Sequence, residues 1–274
     1  MIADILAQAA PLLFATLGAL VTDYAGVLAV FMEGTITIAA FACAAATALT
    51  GNPFLGIAFS VCVTTILLVA VALFTERYRA NPFITGIAVN FLSIGIVPWF
   101  SSLAFGTRGV VPLERTGAFA SVGPAFFRNA AFPAALVLAV LLAVFLRNSR
   151  AGLALRVSGS SPDALRSRGL EPARYRVLSW AIAAAFAALA GSALTLSLGS
   201  FVPAVSAGRG WTALVAVYLG YRTPFGCVAA CLAFASASYA TDVLQGAIRI
   251  PPTLILGLPY ALSLVAFLII GKRR

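Results

Sequence analysis

Histidine is absent from all 274 residues, which removes the side chain on which most catalytic triads, many zinc sites and most proton shuttles depend. Charge is scarce as well: 9% of residues are charged and 62% are hydrophobic, whereas a soluble domain carries about 25% charged residues. With a mean hydropathy of +1.03, water is not the main solvent of this chain. The four cysteines, Cys43, Cys62, Cys227 and Cys231, all lie in apolar stretches, where disulfides and metal clusters are unusual, so they read as small packing residues. Gly271-Lys272 is the sole Gly-Lys pair, and no phosphate-cradling P-loop surrounds it. ATP hydrolysis within this chain is therefore excluded, and no other catalytic cluster stands out. The first apolar stretch begins close to Met1 without a basic leader, so it is expected to be a retained span rather than a cleaved signal.

What is present is a succession of apolar runs, at about residues 5–22, 33–49, 53–75, 82–105 and 131–146, then 177–199, 205–221, 224–241 and 253–271. Each is close to the roughly 20 residues that a transmembrane helix needs. The expected fold is all-α, a polytopic transmembrane bundle of about nine spans, with eight or ten as alternatives, forming one domain over residues 1–274. The run 205–221 is short and contains Arg209, and residues 24–32 have the composition of a re-entrant piece. Gly and Pro interrupt several runs, at Asn52-Pro53, Asn81-Pro82, Pro98, Gly208-Arg209-Gly210, Thr223-Pro224 and Pro259. Some of these are turns between spans, but broken helices survive in a bilayer only where the freed backbone faces protein or a watery cavity, so the breaks inside runs, Pro98 and Pro259, point to a pathway.

The net charge of +10 does not indicate nucleic acid, because the basic residues separate apolar runs instead of clustering on a soluble domain. Alternating the nine runs puts 13 of the 18 Lys and Arg residues on one face. By the positive-inside rule that face is cytoplasmic, leaving the N-terminus outside and the C-terminus inside. Seven of those arginines lie in one loop, residues 147–176. Within it, Ser160 or Ser161 followed by Pro162-Asp163 has the form of a helix start, and Gly169 that of a stop, predicting a helix of about seven residues. Such a helix is too short to stand alone in water and is expected to pack on a partner; the alternative is a loop lying on anionic lipid headgroups.

Polar residues within the apolar runs are few. Glu33, beside Gly34, is expected either to face a cavity or helix, because an intramembrane acid is costly, or to sit at the interface. Asn90, four residues after Gly86, is expected to hydrogen-bond another helix or a polar substrate. Trp211 and Tyr260, with Trp99 and Phe100, have the shape to stack on a planar ligand, although interfacial aromatic belts account for many such residues.

In order and spacing these segments resemble the permease subunits of ABC importers for nucleosides and simple sugars, within the branched-chain amino acid and ribose permease group. The residues carrying the resemblance are Tyr24 to Val27 before Glu33-Gly34, Thr50 to Pro53, Asn81 to Leu92, Pro162 to Gly169, Ala207 to Leu214, Gly220 to Gly226, and Leu258-Pro259-Tyr260. One departure is that related permeases often carry Asn-Ile-Gly before the Glu-Gly pair, where this chain has Ala29-Val30-Phe31 and Met32. The resemblance implies a coupling helix at Ser161, Pro162, Asp163, Ala164, Leu165 and Gly169 that docks on a separate ATPase. That subunit holds ATP and Mg, and no cofactor is expected in this chain. It further implies a second permease subunit, as a heterodimer or homodimer, and an extracytoplasmic substrate-binding protein. The expected substrate pathway is Glu33, Asn90, Trp211 and Tyr260, working by alternating access in the bacterial inner membrane. The competing expectation is an ion-coupled secondary transporter, for which Glu33 is the main candidate for protonation.

Overall fold

A computed structural model describes residues 2–113 and 117–247. Its long helices are α1 (Ile2–Tyr24), α2 (Met32–Thr50), α3 (Pro53–Arg77), α4 (Pro82–Phe105), α5 (Gly117–Asn148), α8 (Pro172–Leu198) and α10 (Pro224–Ala247). All seven are long and apolar enough to cross a membrane. Short helices α6 (Arg150–Ser160), α7 (Pro162–Arg166) and α9 (Arg209–Leu219) complete the helical set among the described residues, with two-residue strands β1 (Val111–Pro112) and β2 (Ser200–Phe201). The starts of α3 and α4 follow from sequence: proline fits the first helical turn, and the side chains of Asn52 and Asn81 accept from the N–H groups of Phe54 and Phe83, each at 2.9 Å.

Helices α1, α2 and α8 form the buried centre, and small residues let them approach closely: Ala9, Ala15, Ala19, Ala39, Ala40, Ala183, Ala187 and Ala190 are all fully enclosed. Helices α3, α4 and α5 lie outside, presenting Ile66, Ile84, Leu103 and Leu141 outward. So much apolar surface, tolerable only in lipid, identifies a multi-pass membrane protein.

Two sets of contacts define the faces of the bundle. Strands β1 and β2 pair antiparallel, Val111 opposite Phe201, joining the α4–α5 and α8–β2 connections at one face. At the other, Glu76 at the end of α3 forms an ion pair with Arg176 at the start of α8 (2.7 Å), and Asp23 at the end of α1 pairs with Arg222. This is the arginine-rich face, and its grouping of Arg77, residues 147–176 and Arg222 matches the alternation read from sequence. The run 253–271 and the C-terminal tail lie outside the described residues.

Two crossings are broken. Between α1 and α2 the chain turns at Gly26 and re-enters as a non-helical, buried segment through Phe31. The run 205–221, expected as a span, is helical only from Arg209 to Leu219. Pro203 lies in the preceding loop, whose Ala204, Ala207 and Gly208 have positive φ, so the helix starts only at Arg209. Helix α9 is about 16 Å long at 1.5 Å per residue, about half a hydrocarbon core.

In the arginine-rich loop the helix from Pro162 has five residues rather than seven. It closes through a Schellman pattern, the N–H of Leu170 donating to Leu165 O and that of Gly169 to Arg166 O. Gly169 occupies the required left-handed position at φ +73°. Sequence reasoning missed the eleven-residue α6 before it, which Ser149 caps by accepting from the N–H of Gly152 at 2.8 Å.

Candidate functional site

The two broken crossings meet inside the bundle. The first turn of α2 carries Glu33, and the first turn of α9 opens with Arg209 and Gly210. A helix start leaves N–H groups without intrahelical acceptors, and in a bilayer no water replaces them. Glu33 supplies that need for α9. Its Oε1 accepts from the Ser206 hydroxyl (2.6 Å) and from the N–H of Gly208 (2.8 Å), and its Oε2 accepts from the N–H of Gly210 (2.8 Å). A carboxylate at the positive end of a helix is favoured by the helix dipole as well. The backbones touch here: a Cβ on Gly210 would stand 2.4 Å from the nitrogen of Glu33, so a side chain at 210 would push the two helix starts apart.

Asn90, on α4, performs the matching task for α2. Its Oδ1 accepts from the N–H of Gly34 and its Nδ2 donates to Val30 O, both at 2.8 Å. The carboxamide thereby fastens the re-entrant segment to the helix that follows. The departure at residues 29–32 is accommodated locally: the carbonyl of Val30 provides the polar contact, and the ring of Phe31 stacks on Trp180 at 4.2 Å between centroids.

Glu33, Asn90 and Trp211 line one cavity of about 390 Å³, together with Phe91, Phe201 and Arg108. It extends from the α2–α9 junction, along α4 as far as Ser101, to the face that carries β1 and β2. The polar atoms of Glu33 and Asn90 are occupied by backbone groups, so they brace the wall. The wall itself is chiefly apolar and aromatic, with Trp211 half-exposed. Sequence reasoning missed Ser206, Gly208 and Arg108; the first two were legible only as part of a break, since nothing local announces that their donors face a residue far away in the chain. Tyr260 lies outside the described residues.

The residues expected to couple to a partner are grouped elsewhere, at the arginine-rich face. Ser161, Asp163, Ala164 and Gly169 are exposed and Pro162 is half-buried, whereas Leu165 is enclosed and anchors the turn from beneath. Asp163 pairs with Arg166 at 2.8 Å in full solvent, a contact of little energetic weight. Among the described residues no group of acids and cysteines is arranged to hold a metal ion.

Comparison with known proteins gives a consistent result. Residues 1–270 match the family described as the permease component of the branched-chain amino acid transport system. The putative glucose ABC transporter permease protein TsgC13 of Haloferax volcanii is 30% identical over 229 residues, covering 78% of this chain and 68% of that protein. The nucleoside ABC transporter permease protein NupC of Lactococcus lactis is 24% identical, covering 99% of this chain and 92% of its own. The guanosine ABC transporter permease protein NupQ of Bacillus subtilis is 27% identical, covering 95% and 88%. Among solved structures, PsaBC from Streptococcus pneumoniae in complex with Fab is similar in fold, with a TM-score of 0.52 at 15% identity over 97% of this chain and 89% of that one.

Proposed function

The chain belongs to the permease family of branched-chain amino acid transport systems, and we propose that it passes nucleosides or simple sugars through the cavity beside Glu33, Asn90 and Trp211. It is a membrane-spanning permease subunit of an ABC importer and not an enzyme; ATP is hydrolysed by a separate subunit. In the proposed assembly a second permease subunit completes the pathway, and an extracytoplasmic protein delivers the cargo. The arginine-rich face is cytoplasmic, with the N-terminus outside and the C-terminus inside. The exposed turn from Ser161 to Gly169 meets the ATPase, with Leu165 anchoring it to the bundle.

The observation that carries the reading is that the acid and the carboxamide of the wall are occupied by hydrogen bonds within the protein, which leaves Arg108 as the charged group of the lining. A cavity whose one acid and one carboxamide are already hydrogen-bonded offers a cargo mainly shape and aromatic surface, such as the ring of Trp211. That suits a passage whose selectivity lies in the delivering protein, since tight binding within the passage would slow release. It also disfavours ion coupling, because Glu33 is held as a helix cap.

Reconstitution into liposomes with the ATPase, the second permease and the binding protein tests this directly. Labelled nucleoside or hexose should accumulate only with ATP inside and binding protein outside, and a protonophore should leave the initial rate unchanged. Accumulation that proceeds without ATP and collapses with the protonophore would sink the proposal.

A further inference from the structure

We propose that Asp23 and Glu33 are positioning residues that clamp α9 at its two ends to the re-entrant segment between them, so that the arginine-rich loop, by bearing on that segment, moves α9 and reshapes the cavity. The inference rests on the importer reading above and adds the path by which the loop reaches the passage.

The loop touches the segment through backbone. A Cβ on Gly159, in α6, would stand 2.3 Å from Tyr24 O and 2.6 Å from the nitrogen of Gly26, so the two chains are in direct contact with no side chain between them to absorb a displacement. Both contacted residues sit where α1 ends and the re-entrant segment begins, Gly26 turning the chain at φ +80°.

At the same level Asp23 grips the far end of α9. Its carboxylate accepts from the hydroxyl of Tyr218 (3.1 Å) and forms an ion pair with Arg222 through Nε, while a second guanidinium nitrogen donates to Asp23 O at 3.3 Å. The hydroxyl of Tyr24 donates to Arg222 O. Four hydrogen bonds thus converge on the last turn of α9 and the α9–α10 turn after it, where Tyr221 and Arg222 both have positive φ, a conformation that side chains adopt only when their surroundings hold them there. At the near end, Glu33 grips the N-terminus of α9 through Ser206, Gly208 and Gly210.

Helix α9 is therefore a rod of about three turns fastened at both ends to one stretch of chain, Asp23 to Glu33, and its first turn presents Trp211 to the cavity. A displacement of the stretch carries the rod with it, because its helix is rigid and is held at one end by Glu33, whose polar contacts cost more to break inside a bilayer than in water, and at the other by the ion pair and hydrogen bonds of Asp23 at the arginine-rich face. A cleft of about 460 Å³ bounded by Arg156, Gly159, Ser160, Tyr221 and Arg222 separates α6 from the turn and gives the two room to approach. Packed elements with two discrete arrangements convert small shifts at one site into larger ones elsewhere.

The test uses the complete importer in liposomes, reading cargo transported per ATP hydrolysed. Asp23→Asn keeps the shape and an acceptor for Tyr218 but removes the ion pair. It should leave basal ATP hydrolysis within about twofold of the wild type while lowering the transport ratio about tenfold, inside the range typical of coupling between sites. The exchange Asp23→Arg with Arg222→Asp should recover much of the ratio. Gly159→Ala, which removes no clasp group but forces α6 and the Tyr24–Gly26 backbone apart, should lower it likewise. A wild-type ratio in Asp23→Asn overturns the proposal; so does a fall of uptake and hydrolysis in parallel that the exchange leaves unrepaired, or a wild-type ratio in Gly159→Ala. Absence of ATP-driven uptake in the wild-type assembly would instead defeat the importer reading beneath it.

Discussion

Replacing Glu33 by glutamine separates the two roles an intramembrane acid can have. As a helix cap, the carboxylate accepts three hydrogen bonds, two on Oε1 and one on Oε2. Glutamine keeps one accepting oxygen and turns an NH2 group toward donors on the other side, so at least one backbone N–H at the start of α9 loses its partner. A hydrogen bond to a charged group contributes about 1.5–3 kcal/mol, and a charge at a partly buried helix terminus up to about 2 kcal/mol. These terms overlap, and their combined loss is about 2–4 kcal/mol, which for a domain of this size corresponds to a fall of roughly 5–10 °C in melting temperature. Thermal unfolding of the detergent-purified protein reads this shift, and uptake in liposomes should fall with it. As a proton carrier, by contrast, Glu33 would already be neutral during part of its cycle, and the neutral isostere would melt like the wild type while losing only ion-driven transport. A Glu33→Gln protein with unchanged melting temperature refutes the capping account.

Two further outcomes follow from the same geometry. Asn90→Leu, of similar size, leaves the N–H of Gly34 and the carbonyl of Val30 without this partner and should cost about 2–6 kcal/mol, at about 1–3 kcal/mol per unsatisfied group, while Asn90→Asp, which accepts but cannot donate, should fall between; thermal unfolding checks both. Gly169→Ala places a side chain in the left-handed conformation at a cost of about 1–2 kcal/mol, so it should lower both uptake and cargo-stimulated ATP hydrolysis with little change in the melting of the bundle, and a variant with normal values for both would argue against the turn as the ATPase contact.

The membrane bundle was legible because its signals are local. Apolar runs of the right length and the arginine asymmetry act within a few residues and have counterparts among the described residues, whereas Asn52-Pro53 and Asn81-Pro82, read as breaks, are the starts of α3 and α4. The candidate site was legible in residue type but not in role. Glu33 and Asn90 stand out as polar residues in apolar runs, yet what they do is set by Gly208, Gly210, Gly34 and Val30, whose relevance depends on the re-entrant segment and α9 meeting end to end. No periodicity encodes that meeting. The half-length of α9 had the same origin: its run is apolar enough for a span, but the loop of Pro203 to Gly208 is held out of helix by acceptors that come from another part of the chain. Helix α6 escaped because its composition is basic and its one clear start signal, Ser149, follows directly on a predicted span.

These placements bear on how energy reaches the passage. An ion-coupled carrier needs a group whose charge changes during the cycle and whose change alters a contact. Glu33 is instead committed to backbone donors on both oxygens, and the described ion pairs Asp23–Arg222 and Glu76–Arg176 lie at the arginine-rich face, away from the cavity lining. Energy supplied from outside the chain must then enter mechanically, and the exposed turn at Ser161–Gly169 belongs to the same loop whose Gly159 bears on Tyr24 and Gly26. From there the Asp23 clasp, α9 and the Glu33 cap form a series of polar and backbone contacts ending at the cavity wall, so on the proposed function the residues that make broken helices tolerable in a bilayer also carry the movement to the cavity.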